Sequence, residues 1–234
     1  MRLLRCFLET TIQKVRIIRN FLTIRDPDTQ ILPRGLNTAG STILQAEDIF
    51  SGRLTLGLVA AGVVAKKIIS PATVTAKILE IGGTSNLEKA VELAQETKDS
   101  IGGILECRAS GLPVGLGEPF FGSVESVISS AVFSIPAVKG IEFGAGFNVA
   151  KMTGSFNNDC ITDEKGTTQT NNSGGINGGI SNGNEIVFKV AVKPTPSISL
   201  PQETYNFKDK KVENLVITGR HDLCIALRDW KSVV

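Results

Sequence analysis

Glu185-Ile-Val-Phe-Lys-Val-Ala-Val192 alternates along its length, with Ile186, Phe188 and Val190 on one face and Val187, Lys189 and Ala191 on the other. A two-residue period of this kind marks a strand with one side in a core. The stretch running into it is Thr170-Asn-Asn-Ser-Gly-Gly-Ile-Asn-Gly-Gly-Ile-Ser-Asn-Gly183, where glycine pairs sit among Asn and Ser while Ile176 and Ile180 keep an apolar side. Working outward, residues 73–81 are β-branched and read as a strand, residues 101–109 as a second, and residues 138–143 and 147–152 as short strands around Gly144 and Gly146. Residues 203–207 and 212–218 complete a hairpin. Helices are predicted from a cap at Ser51 through Ile68, from a Ser85/Glu88 capping box carrying Leu87, Val91 and Leu93, and over residues 123–134. Antiparallel strands with helices on their faces imply an α+β fold.

The chain has 234 residues, enough to bury a core without disulfides or metal. Apolar residues are 41% and charged residues 21%, a globular balance. The net charge of +2 gives no basic field, and 6% aromatics give little stacking surface, so nucleic acid is not expected as a partner. The single His and four dispersed cysteines leave no zinc-ligand spacing, so no metal is expected. Glu9, Gln13 and Lys14 break the apolar run near the start before a signal-peptide core forms, and no stretch reaches the length of a membrane span. Reduced cysteines in a cytoplasmic protein are the expectation. The basic segment 1–24 reads as a helix with a solvated charged face, and 25–50, broken by Pro27, Pro33, Gly35 and Gly40, as loop.

Four stretches carry chemistry. In residues 170–183, glycines allow positive φ and bare N–H groups that can form an anion-binding nest. Lys193-Pro-Thr-Pro-Ser197 puts one positive charge and two hydroxyls at a strand end, a set that can hold a phosphate. Gly219-Arg-His-Asp222 supplies a guanidinium, the only imidazole and a carboxylate. In Gly115-Leu-Gly-Glu-Pro-Phe-Phe121, Glu118 can cap the next helix or meet a polar ligand. Taken singly, the last three read more readily as turns, while the Gly/Asn run, leading into a clean strand with Ile176 and Ile180 on one side, reads as more than a flexible loop.

Together, and with Ser134-Ile-Pro-Ala-Val-Lys-Gly140, Asp99-Ser-Ile-Gly-Gly103 and Ser51-Gly-Arg-Leu-Thr55, they resemble the chorismate synthase family over residues 51–228. The resemblance implies a β-α-β sandwich of antiparallel sheets with helices, here incomplete. It implies conversion of 5-enolpyruvylshikimate 3-phosphate to chorismate by 1,4-anti elimination of phosphate with reduced FMN, NADPH serving some members as reductant. It places flavin contacts at Ser51, Pro136, Ala137, Gly178, Lys193, Pro194, Thr195, Pro196, Ser197 and Arg220, substrate binding at Arg53, and a carboxylate for deprotonation at Asp222. The family's homotetramer is the expected assembly.

The family's Gly-x-Ser-His-Gly and Arg-Pro-x-His-Ala-Asp segments are not in this sequence, and Leu223 stands where the family has Pro. The expectation is therefore a member truncated at both ends, with residues 1–50 poorly matched and 229–234 an unrelated tail. A truncated core would expose Ile135, Val138 or Ile141. The alternatives are a catalytically inactive remnant that binds FMN or a full-length partner, and a generic α+β binder of phosphate ligands.

Overall fold

The structure, a computed structural model, describes residues 55–206, 210–217 and 221–228. Its centre is a four-stranded antiparallel sheet in the order β1-β2-β6-β3, built from β1 (Thr73–Ile81), β2 (Gly103–Ser110), β6 (Ile186–Val192) and β3 (Val138–Phe143). Two short ribbons accompany it: β4 (Ile176–Asn177) with β5 (Ile180–Ser181), and β7 (Gln202–Asn206) with β8 (Lys211–Leu215). The mixed α+β class holds. Of the expected sandwich, the described residues contribute one large sheet.

Register explains the two faces. Leu105 pairs with Val190 and Cys107 with Phe188, while β3 brings Ile141 and Phe143 opposite the same two residues. Leu105, Cys107 and Val190 have no exposed surface. Each large apolar side chain buried here is worth about 1.5–3 kcal/mol. Strand β6 alternates buried and half-buried from Ile186 to Val192, as its sequence period demands.

The opposite face carries a row of alternating charge. Lys77 pairs with Glu106, Glu106 with Lys189, and Lys189 with Glu142 across all four strands. Glu106 sits 3.0 Å from Lys77 Nζ and 2.7 Å from Arg108 Nε. The Arg108 hydrogen bond, aided by Lys77, outweighs burial and holds the Glu106 carboxyl below its ordinary range. One register step would drop these charges into the core, so the alternation fixes the pairing.

Helix α2 (Leu87–Thr97) contributes buried Ala90, and α3 (Val124–Val132) contributes Val132, to the apolar side of the sheet. The α2 cap lies one residue later than the capping box predicts. Asn86 Oδ1 accepts from Lys89 N–H at 3.1 Å, and Thr84 Oγ1 accepts from Asn86 N–H. Asn86→Ala is expected to cost about 1 kcal/mol, lowering the melting temperature by about 2–4 °C in a thermal melt. Leu93, expected on the packed side, is exposed. Helix α3 is capped by Ser123, whose hydroxyl accepts from Ser126 N–H, so Glu118 does not cap it.

Two further expectations fail. Residues 147–152 do not form a strand; Gly146–Lys151 is a 3-10 turn. Positive φ at Gly144 and Gly146 turns the chain off the sheet, and the Glu142 carboxylate takes the Phe147 N–H. Ile135 and Val138 are buried in the core and Ile141 is half-buried against it. Exposed apolar side chains are found elsewhere, among them Leu56, Val63, Val64 and Ile68 on α1 (Thr55–Ile68) and Phe120 and Phe121 in the 111–122 loop. The predicted readings of residues 1–50 and the Ser51 cap fall outside the described residues. No helix among the described residues is long and apolar enough to cross a membrane.

Candidate functional site

The Gly/Asn run keeps its nest but fills it from within. Asp159 Oδ1 accepts from Thr170 Oγ1 at 2.6 Å and Asn172 N–H at 2.7 Å, and its Oδ2 accepts from Ser173 N–H at 2.9 Å. The anion that these donors bind is the chain's own carboxylate. Burial pushes the Asp159 pKa up, but the hydrogen bonds from Thr170, Ser173 and Asn172 win and hold it below the ordinary aspartate range. A depressed folded-state pKa stabilises the fold above the unfolded pKa and loses that stabilisation as pH falls through the folded value. Stability is therefore expected to drop below about pH 4, and Asp159→Asn should flatten part of that drop in urea titrations run at several pH values.

Asn171 completes the loop, accepting from Gly175 N–H and donating to the Glu185 carbonyl. Ser181, fully buried, donates to the Pro113 carbonyl and accepts from Leu116 N–H, tying the 111–122 loop to the β4–β5 ribbon. Gly178 sits in the turn of that ribbon at φ 58°, with open space where a Cβ would be.

A second cluster forms at the end of β6 near residue 192. Lys193 N–H donates to the Ala137 carbonyl at 2.9 Å, which joins Pro136 and Ala137 to the 193–197 segment. Ala137 holds φ 71°, a conformation that costs a non-glycine residue about 1–3 kcal/mol and concentrates at functional sites. Gly102 permits the close approach of the 193–197 segment: a Cβ there would lie 2.7 Å from the Val192 carbonyl oxygen and 3.3 Å from Pro194 Cδ. Beside the segment opens a cavity of about 180 Å³, lined by Lys98, Asp99, Ser100, Ser197, His221 and Asp222 among others. Small-molecule sites span about 300–1,000 Å³, so this space suits the anionic end of a ligand and not a whole flavin.

Asp222 Oδ1 lies 2.8 Å from Arg228 Nη2. His221 Nε2 lies 3.0 Å from the Ile217 carbonyl oxygen, a contact that needs the proton on Nε2 and leaves Nδ1 as the acceptor in the neutral ring. The Thr195 hydroxyl oxygen is buried without a hydrogen-bond partner. Such an orphan costs about 1–3 kcal/mol, and an anionic oxygen would satisfy it. The residues present thus fit the phosphate end of a flavin or of a phosphorylated substrate.

The predicted site residues divide accordingly. Ser197 and Asp222 line this cavity, while Pro136, Ala137, Lys193, Pro194, Thr195 and Pro196 lie on the two segments that the Lys193–Ala137 hydrogen bond joins. Gly178 lies on the ribbon, with no described contact joining it to the cluster. Ser51, Arg53 and Arg220 are outside the described residues. Lys98 and Ser100 were not among the predicted contacts. The signal for Ser100 is the Asp99-Ser-Ile-Gly-Gly103 motif on the turn between α2 and β2, and Lys98 immediately precedes that motif.

A family model described as chorismate synthase matches residues 41–233. The chain belongs to the chorismate synthase family. It is 61% identical over 180 residues to the chorismate synthase of Chitinophaga pinensis, covering 76% of this chain and 54% of that protein. The chorismate synthase of Dehalococcoides mccartyi is 43% identical over 212 residues, covering 76% of this chain and 58% of that one. A crystal structure of chorismate synthase superposes with a TM-score of 0.58 at 30% sequence identity, covering 63% of this chain and 57% of that chain. The chain therefore spans little more than half the length of the relatives it matches.

Among the described residues no group of His, Cys, Asp and Glu could hold a metal ion. Cys107, Cys160 and Cys224 are free thiols. Burial, with the Glu106 charge beside it, pushes the Cys107 pKa up to about 12, so it is a core residue and not a nucleophile.

Proposed function

We propose that this chain acts as a chorismate synthase, converting 5-enolpyruvylshikimate 3-phosphate to chorismate and phosphate by 1,4-anti elimination. The observation that carries this reading is the unpartnered Thr195 hydroxyl. It stands between Lys193 and Ser197, near the cavity that Asp222 lines, in a chain of this family. Reduced FMN, when bound, supplies electron density to the substrate and recovers it, so there is no net oxidation.

The chain's own residues bind and move a proton. Lys193 places a positive charge against a phosphate, and the Thr195 and Ser197 hydroxyls donate to its oxygens. Ser51, Pro136, Ala137, Gly178 and Arg220 complete the flavin contacts, and Arg53 holds the anionic substrate. Asp222 accepts the proton released in the elimination while Arg228 fixes its carboxylate. A homotetramer in the cytoplasm, with NADPH as a source of reducing equivalents, completes the proposal.

The test is anaerobic turnover by the folded chain with chemically reduced FMN and substrate, reading chorismate by absorbance. Chorismate above the control without enzyme supports the reading, and it would mean that the family's two histidine segments are replaced. A folded, FMN-binding chain that makes none would be a family scaffold without its chemistry.

A further inference from the structure

We propose that Ser100 is a positioning residue for the phosphate-binding segment, acting through the Thr195 carbonyl. The inference rests on the reading of 193–197 as the segment that holds an anionic ligand. Thr195 lies between Pro194 and Pro196. The two prolines lack N–H groups and fix their own φ, and Pro196 holds Thr195 in extended backbone. The remaining freedom of Thr195 is the swing of its carbonyl plane, which no neighbouring N–H in this Pro-Thr-Pro run can restrain. Ser100 Oγ donates to that carbonyl at 2.6 Å across ninety-five residues of sequence separation. With the plane clamped, the Thr195 hydroxyl keeps its orientation and stays unpartnered for a ligand.

The clamp is itself held. Ser100 N–H donates to Asp99 Oδ1 at 2.7 Å, and Ile101 N–H donates to the Leu223 carbonyl at 2.8 Å. One turn therefore touches both the 193–197 segment and the strand end that carries Asp222. Substrate and flavin phosphates would be oriented relative to the proton acceptor by this turn.

FMN affinity, titrated with 5-enolpyruvylshikimate 3-phosphate present, tests the assignment. Ser100→Ala is expected to weaken binding about three- to tenfold, the net worth of one hydrogen bond. Ser100→Thr, which keeps the hydroxyl, should bind within about twofold of the parent. In a Thr195→Val background, Ser100→Ala should change affinity little, because the group it orients is gone. Equal losses in both backgrounds would mark a merely structural role and overturn the proposal. So would a folded Ser100→Thr chain that loses affinity as Ser100→Ala does, or a Ser100→Ala chain that binds as the parent does. A parent chain that binds no FMN would instead overturn the reading of the segment, and the clamp with it.

Discussion

Replacing Asp222 with Asn is expected to lower chorismate formation by about 10²–10⁴-fold, the range for losing a positioned acid or base. FMN affinity should be nearly unchanged. Asparagine keeps the shape and can still accept a hydrogen bond from Arg228, but it cannot take a proton at the pH of the assay. The competing account of any loss is instability, and the geometry limits it. The Asp222–Arg228 pair is well exposed, at 38% and 61% of side-chain surface. Exposed pairs of this kind contribute about 0–1 kcal/mol, too little to unfold the chain. A thermal melt of Asp222→Asn should therefore overlay that of the parent while turnover collapses under saturating reduced FMN and substrate. Turnover at the parental rate would move proton acceptance to another group, and His221, whose ring also lines the cavity, is the one to replace next.

The contrast between elements shows what a sequence carries. Strand β1 runs from Thr73 to Ile81 as predicted because β-branched residues state their preference locally. The period of β6 is equally local, and the register of its neighbours follows from it. The α2 cap differs by one residue from the sequence expectation because Ser85 and Asn86 are adjacent and both have capping side chains. Only the backbone geometry selects Asn86. Residues 147–152 depart from the expected strand because they meet no sheet: Phe147 is exposed once Gly144 and Gly146 have turned the chain away. The Gly/Asn run suggested a site open to an outside anion. Asp159, eleven residues before Thr170, fills it, and nothing in the spacing shows that. The site's two halves became visible through motifs whose order matched a family. Ser100 stayed hidden because its role is a contact between distant stretches, and no local pattern encodes it.

Gly144→Ala is expected to cost about 2–6 kcal/mol, the sum of positive-φ strain and overpacking against a rigid neighbour. The fold is therefore expected to lose much of its stability. Gly144 holds φ 55° and ends β3, and its N–H donates to the Val187 carbonyl at 2.9 Å. A Cβ there would overlap the Asn172 carbonyl oxygen and the Gly174 backbone nitrogen, neither of which can rotate aside. Those atoms belong to the loop that Asp159 and Asn171 already pin, so relief would require breaking the Asp159 contacts with Asn172 and Ser173. The damage should spread in a defined order. Amide exchange would accelerate first at 170–175, where the loop is displaced, and then at the β3–β6 edge that Gly144 closes. It should spare the β1–β2 pairing on the far side of the sheet. Gly140→Ala is the matched control within the same strand, because its Cβ would meet only Ala191 Cβ at 3.5 Å, an ordinary contact. If both variants melt with the parent, the loop must yield more readily than its hydrogen bonds imply. If Gly144→Ala alone loses stability, the Gly/Asn run acts as a rigid wall of the fold, and the open anion chemistry belongs to the 193–197 end.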